Sequence, residues 1–175
     1  TLLIIISDHG TGLGEKHGEK FYGVFVYENT INIFCIMHIP GKSPRIITKQ
    51  CSTIDLYSTI AELAEAKIEK KSEIQGESLL HLIENPSAEN RAVFVETGGL
   101  YGPWPSPEKH NIFCVKMDGK KLIYNDTPQS WEFYDLKNDP DELHNKYDEN
   151  SKQINDLKKK LISHFKDNKI ITKLN

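Results

Sequence analysis

Asp8 and His9 stand side by side, between Ser7 and Gly10, where the apolar run Leu2-Leu-Ile-Ile-Ile6 ends. A hard carboxylate oxygen beside a borderline imidazole nitrogen is a donor pair for a divalent cation. Successive side chains on a strand point to opposite faces, so the two can share one ion only if the backbone has left strand geometry by His9. Gly10 makes that break easy. An Asp-His-Gly surface turn is the competing reading of the same residues. Two donors also fall short of the roughly four to six that a complete site needs, so the other ligands have to come from elsewhere.

The elements around the pair follow from pattern. Five apolar residues without polar alternation expect burial on both faces, the mark of an inner strand of a parallel sheet. In open α/β sheets the ligand crevice lies at the carboxyl ends of strands, where Asp8 and His9 fall. The glycines at 10, 12 and 14 match neither a dinucleotide fingerprint nor a P-loop, so Thr11 to Glu15 reads as a surface loop. Ile31 to Met37 is a second apolar run suited to a buried strand, ended by Pro40-Gly41, and Ile46-Ile47 suits a brief strand. Ser52 opens a helix with Asp55 as a capping acid, a structural role. Residues 66–74 alternate lysines and glutamates in a solvated connection, and Gly76 to Ile83 reads as a short helix.

A second unit begins near Arg91. Ala92 to Glu96 reads as a strand, and residues 97–110, rich in glycine and proline, as a long loop. Ile112 to Met117 and Lys121 to Tyr124 flank Asp118-Gly119, a strong hairpin signal. Trp131 to Leu136 supplies a fourth strand. Ile154, Leu157, Leu161, Ile162 and Phe165 keep helical spacing, which predicts an amphipathic helix over residues 151–166.

In order along the chain stand Ser7-Asp8-His9-Gly10, Gly12-Leu13-Gly14-Glu15, His17-Gly18, Tyr27-Glu28 and Ile39-Pro40-Gly41. Ile54-Asp55-Leu56, Gly76-Glu77-Ser78-Leu79-Leu80, Glu132 to Leu136 and Asn138-Asp139-Pro140 with Glu142 continue the series. The whole resembles the second half of the sulfatase family, within the alkaline phosphatase superfamily of metal-dependent ester hydrolases. The fold class this implies is α/β: the C-terminal part of an alkaline-phosphatase-like sheet domain, residues 1–90. A small α+β subdomain follows over residues 91–175, a four-stranded antiparallel sheet with a C-terminal helix.

The resemblance implies that Asp8 and His9 are metal ligands to one divalent ion, Ca, Mn or Zn. It implies a basic residue after the pair that contacts the transferred anion, and His17 and Lys20 fill that window as candidate catalytic residues, with Lys16 beside them. The family's nucleophile, a formylglycine made from Cys or Ser in Cys/Ser-x-Pro-x-Arg, has no counterpart here: Cys35, Cys51 and Cys114 all stand in other contexts. Three positions depart from the pattern. Thr11 stands where many relatives have Glu, Lys16 reads as an insertion, and Tyr22 stands where several relatives show His.

The expectation is therefore the C-terminal fragment of a sulfuric ester hydrolase, inactive alone, with its nucleophile upstream. Thr1 opening directly into a strand fits such a piece. A phosphonate or phosphodiester hydrolase, or a phosphoglycerol-type transferase, is the alternative within the superfamily; a non-catalytic binding module is the alternative outside it. The expected partner is a small-molecule sulfate or phosphate ester. A net charge of −3 over 175 residues gives no general attraction to nucleic acid. No apolar run reaches the ~20 residues of a membrane span. Three widely spaced cysteines form no disulfide framework and read as reduced core thiols, which leans the expectation to the cytoplasm.

Overall fold

The computed structural model describes residues 1–16, 21–69, 73–85, 87–101 and 109–174, the side chains of 99–101, 109 and 110 aside. Its residues fall into two compact groups, Thr1–Gly41 with Phe94–Asn175, and Lys42–Val93. The cuts follow Gly41 and Val93. Residues 1–41, however, group with the C-terminal sheet and not with 42–93, because their aromatic and acidic side chains complete one face of that sheet.

The sheet of the first group is a meander, β3 (Val93–Tyr101), β4 (Lys109–Met117), β5 (Lys120–Asn125) and β6 (Ser130–Asp135), with neighbours in chain order. Asp118 and Gly119 link β4 to β5 with φ of 54° and 75°. Two consecutive positive φ values match the right-handed twist of the flanking strands, as the Asp-Gly pair requires. The register pairs Cys114 with Ile123 and Lys116 with Lys121, and Lys121 with Tyr134. Strand alternation then puts Ile112, Cys114, Lys116, Lys121, Ile123, Glu132 and Tyr134 on one face.

That face buries Ile112, Cys114, Ile123 and Tyr134 against Val26, with Phe25, Tyr27 and Ile31 packed alongside. The opposite face carries α4 (Lys152–Asp167), which buries Ile154, Leu157, Leu161 and Phe165. These are the positions that helical spacing selects. Phe165 meets Phe113 edge-on, with ring centroids 4.8 Å apart. The four strands and closing helix are as expected from the sequence, but β3 runs on to Tyr101 and β4 begins at Lys109, inside the stretch 97–110 read as a loop.

At the N-terminal end, β1 (Leu3–Ile6) pairs with β2 (Cys35–His38) in antiparallel register, Ile5 opposite Ile36. The one-turn helix α1 (Glu28–Ile31) precedes β2. The antiparallel pairing corrects the expected strand direction, which was parallel. Among the described residues β2 is the partner of β1, and Leu3, Ile5, Phe34 and Ile36 are exposed. An unbroken apolar run speaks for burial on two faces but says nothing of strand direction. Cys35 and Cys51 are exposed as well, and only Cys114 is a core thiol. β2 begins four residues later than its apolar run because Ile31 closes α1.

The second group holds α2 (Asp55–Leu63) and α3 (Leu80–Glu84), and Ile46-Ile47 forms no strand. Asp55 is fully buried and knits this group together. Its carboxylate accepts from the Ser52 amide at 2.7 Å and the Glu77 amide at 3.1 Å, and it pairs with Arg91. Its role is structural. No helix among the described residues is long and apolar enough to cross a membrane.

Two outcomes follow from this packing. Phe165→Ala leaves a void between α4 and the sheet and should lower stability by about 3–5 kcal/mol in urea unfolding. The Asp135 carboxyl, bonded by Lys120 and Asn138, is held down at a pKa of about 2 against 3.8. The unfolded chain therefore takes up this proton first. The stabilisation is full above pH ~4 and fades as pH falls toward ~2, so Asp135→Asn should flatten that limb of an acid denaturation curve.

Candidate metal corner

Leaving β1, the backbone turns so that Asp8 and His9 converge. Asp8 Oδ2 lies 3.5 Å from His9 Nε2. The His9 amide donates to Asp8 Oδ1 at 2.9 Å, which holds the carboxylate over the turn. His9 Nδ1 lies 2.7 Å from the Gly10 carbonyl. A carbonyl only accepts, so Nδ1 donates there, which leaves Nε2 on the side of the carboxylate. Two donors bound to one ion at ordinary zinc or calcium distances stand roughly 3.4 Å apart, in tetrahedral or right-angled positions respectively. The donor pair fits a shared divalent cation. It remains a pair: no cluster of three or more His, Cys, Asp and Glu suited to a metal occurs among the described residues.

The corner is braced from two sides. Tyr22 stacks on the His9 ring with centroids 3.8 Å apart and planes 28° from parallel. Gly10 donates its amide to the Thr30 carbonyl at 2.8 Å. A Cβ on Gly10 would lie 2.2 Å from the Asn29 carbonyl oxygen, so only glycine lets the corner approach α1 this closely. Beyond it, Glu15 accepts from the Leu13 amide at 2.6 Å and from Asn29 at 3.3 Å. Gly12 and Phe21 exchange backbone hydrogen bonds of 2.6 and 2.9 Å.

Behind α1 lies a buried polar network. Lys121 is fully buried and pairs with Glu28 at 3.1 Å and Glu142 at 2.7 Å. Lys116 reaches the other oxygen of Glu28 at 2.7 Å. Burial opposes the Lys121 ammonium, yet its surroundings, Cys114, Glu142 and Glu28 in order, hold its pKa above the ordinary value. Burial likewise opposes the Glu28 carboxylate, but Lys121 and Lys116 together pull its pKa down. Glu142 has Lys121 with Glu28 repelling it, and burial wins: its pKa is raised. Tyr27 and Tyr134 both donate to Glu132, at 2.9 and 2.6 Å.

Of the residues singled out in the sequence, Asp8 and His9 are brought together. His17 and Lys20 lie outside the described residues. Lys16 is turned inward, its ammonium donating to the Glu142 carbonyl and sitting 4.7 Å from the centre of the Tyr27 ring. Glu28 and Glu142 stand in the motif series and Tyr22 among its departures, but the contacts of all three, and Asn29 and Lys121 altogether, escape a motif-based reading. For Lys121 a signal exists: strand period two counted back from buried Ile123 places it inside. Tyr22 offers no such signal, since its stacking depends on how the chain returns toward His9.

The C-terminal family described as N-sulphoglucosamine sulphohydrolase matches residues 16–169, most of the chain. The chain belongs to the sulfatase family, in its C-terminal region. The N-acetylglucosamine-6-O-sulfatase of Bacteroides thetaiotaomicron is 29% identical to this sulfatase chain over 182 residues, covering 96% of it and 31% of the relative. Arylsulfatase K of Xenopus laevis is 28% identical over 177 residues, covering 93% of the chain and 31% of its own length. The sulfatase chain thus spans about a third of these curated relatives. A solved 2-O GAG sulfatase shares its fold at a TM-score of 0.81 and 21% identity, over 97% of this chain and 37% of that one.

The Gly10 contact gives a direct test of the corner. Gly10→Ala should cost about 1–3 kcal/mol in urea unfolding, the usual penalty of overpacking. It should also remove the ring-current shift that Tyr22 imposes on the His9 ring protons in the NMR spectrum.

Proposed function

We propose that the chain is the C-terminal portion of a metal-dependent hydrolase of sulfate esters, in which Asp8 and His9 supply two of the ligands to a divalent cation. The 3.5 Å approach of Asp8 Oδ2 to His9 Nε2, in a sulfatase chain, is the observation that carries this reading. The nucleophile and the remaining ligands would come from residues preceding those of this chain. The exposed row of Leu3, Ile5 and Ile36 supports that arrangement, as apolar surface on which further layers of an α/β domain would pack.

The geometry of Asp8, His9 and Tyr22 supports the roles proposed for them. Asp8 contributes a charged oxygen and His9 a neutral nitrogen, its tautomer held by the Gly10 carbonyl. Tyr22 covers one face of the imidazole, restricting ring rotation and shielding it from water. When bound, the cation would supply Lewis-acid stabilisation of charge on the ester oxygens. His17 and Lys20 are the proposed contacts to the transferred anion, a role suited to an imidazolium or ammonium beside a sulfate oxygen.

Two measurements test the reading. Mn²⁺ should broaden the NMR signals of His9 in the 175-residue chain, and Asp8→Ala should weaken that effect at least about tenfold, as loss of one charged ligand implies. An unbroadened His9 in the unsubstituted chain would remove the metal from the proposal. Aryl-sulfate hydrolysis by the same chain should stay at the rate of buffer, because the nucleophile is not among its residues. Turnover that Asp8→Ala abolishes would place the whole reaction here and overturn the division of labour.

A further inference from the structure

Helix α1 is a single turn, Glu28 to Ile31, and its N-cap residue Tyr27 makes no side-chain cap bond. A turn this short is not stable by itself in water. Its position is set from outside, by Ile31 packing on the core and by the bonds of its first residue. Glu28 receives Lys116 and Lys121 on its two carboxylate oxygens, and its amide donates to Glu142 Oε2 at 2.6 Å. The second and third residues of α1 then meet the metal corner. The Thr30 carbonyl accepts the Gly10 amide, and the Asn29 carbonyl fills the space that a Gly10 side chain would need. Gly10 in turn accepts from His9 Nδ1. A continuous line of contacts runs from β5 through α1 to the imidazole.

We propose that Lys121 is a positioning residue for the cation site, acting through Glu28 and α1 on Gly10 and thereby on the convergence of Asp8 and His9. The inference rests on the metal-dependent reading only in taking Asp8 and His9 as ligands. Charge explains why Lys121 holds Glu28 so firmly. Lys116 and Lys121 face each other across β4 and β5, and like charges directly opposite repel. Glu28 bridges them, so leaving its place leaves the fully buried Lys121 with Glu142 as its acid partner, beside the Lys116 ammonium. A carboxylate with that much at stake is a fixed point, and α1 begins on it.

The test uses the 175-residue chain and two variants, Glu28→Gln and Lys121→Met. Amide hydrogen exchange at Gly10 should accelerate about tenfold or more in both, while the amides of Cys114 and Ile123 in the sheet change less than about threefold. The His9 broadening by Mn²⁺ should weaken in parallel. A merely structural lysine would move Gly10 and the sheet amides together, and that result overturns the proposal. So does unchanged exchange at Gly10 in a folded variant. Should Lys121→Met fail to fold, the isosteric Glu28→Gln decides alone, since its amide oxygen still accepts from one lysine while the other loses its acceptor. Exchange is read without metal, so a chain whose His9 never responds to Mn²⁺ sinks the metal reading while leaving the positioning of Gly10 to be judged by exchange.

Discussion

A lysine ammonium with no exposure to water cannot stand alone. Removing such an ion from solvent carries a penalty of several kcal/mol, recovered only when opposite charges and hydrogen bonds surround it. Lys121 meets that condition with Glu28 and Glu142, neither of which belongs to the sheet. One comes from the N-terminal segment and the other from the turn after β6. The inner face of the meander is therefore incomplete without residues from both ends of the first group. This is why Thr1–Gly41 groups with the C-terminal sheet although fifty-odd residues of the second group lie between them in sequence.

The same requirement explains the neighbours of the lysine. Glu132, opposite Ile123 on β6, takes both tyrosine hydroxyls and an Asn125 amide hydrogen, so its oxygens are satisfied without a lysine. Burial and the adjacent Glu132 charge raise the pKa values of Tyr27 and Tyr134, which keeps both rings neutral and their hydroxyls donating. Lys16 lies over those two rings, where an ammonium gains from the aromatic faces. Burial lowers its pKa, with Glu142 opposing. The segment after Asp8 and His9 is thus fastened to the sheet by charge and aromatic contact together.

What could be read from the sequence was what is decided locally. The Asp118-Gly119 hairpin needs two residues, and α4 needs only the spacing of Ile154, Leu157, Leu161 and Phe165. The Asp8-His9 pair was legible for the same reason: a short stretch at the end of an apolar run carries both donors and the glycine that lets them turn. Strand direction at β1 was not legible, because a run of Leu and Ile carries no information on which neighbour it meets. Nor did the cysteines reveal their burial; Cys35 sits within an apolar run yet on an exposed face, and a thiol is small enough for either. Tyr22 and Lys121 act through contacts distant in sequence. Those need the fold before they can be seen, although the alternation of β5 does place Lys121 inward.

The order of synthesis gives the Glu28–Lys121 pair a temporal side. The acid leaves the ribosome 93 residues ahead of its base, a wait of roughly 5–20 s at common elongation rates. Until then the first residue of α1 lacks its buried lysine partner. The turn against which Gly10 packs thus takes its final anchoring only after β5 has been made and its hairpin closed.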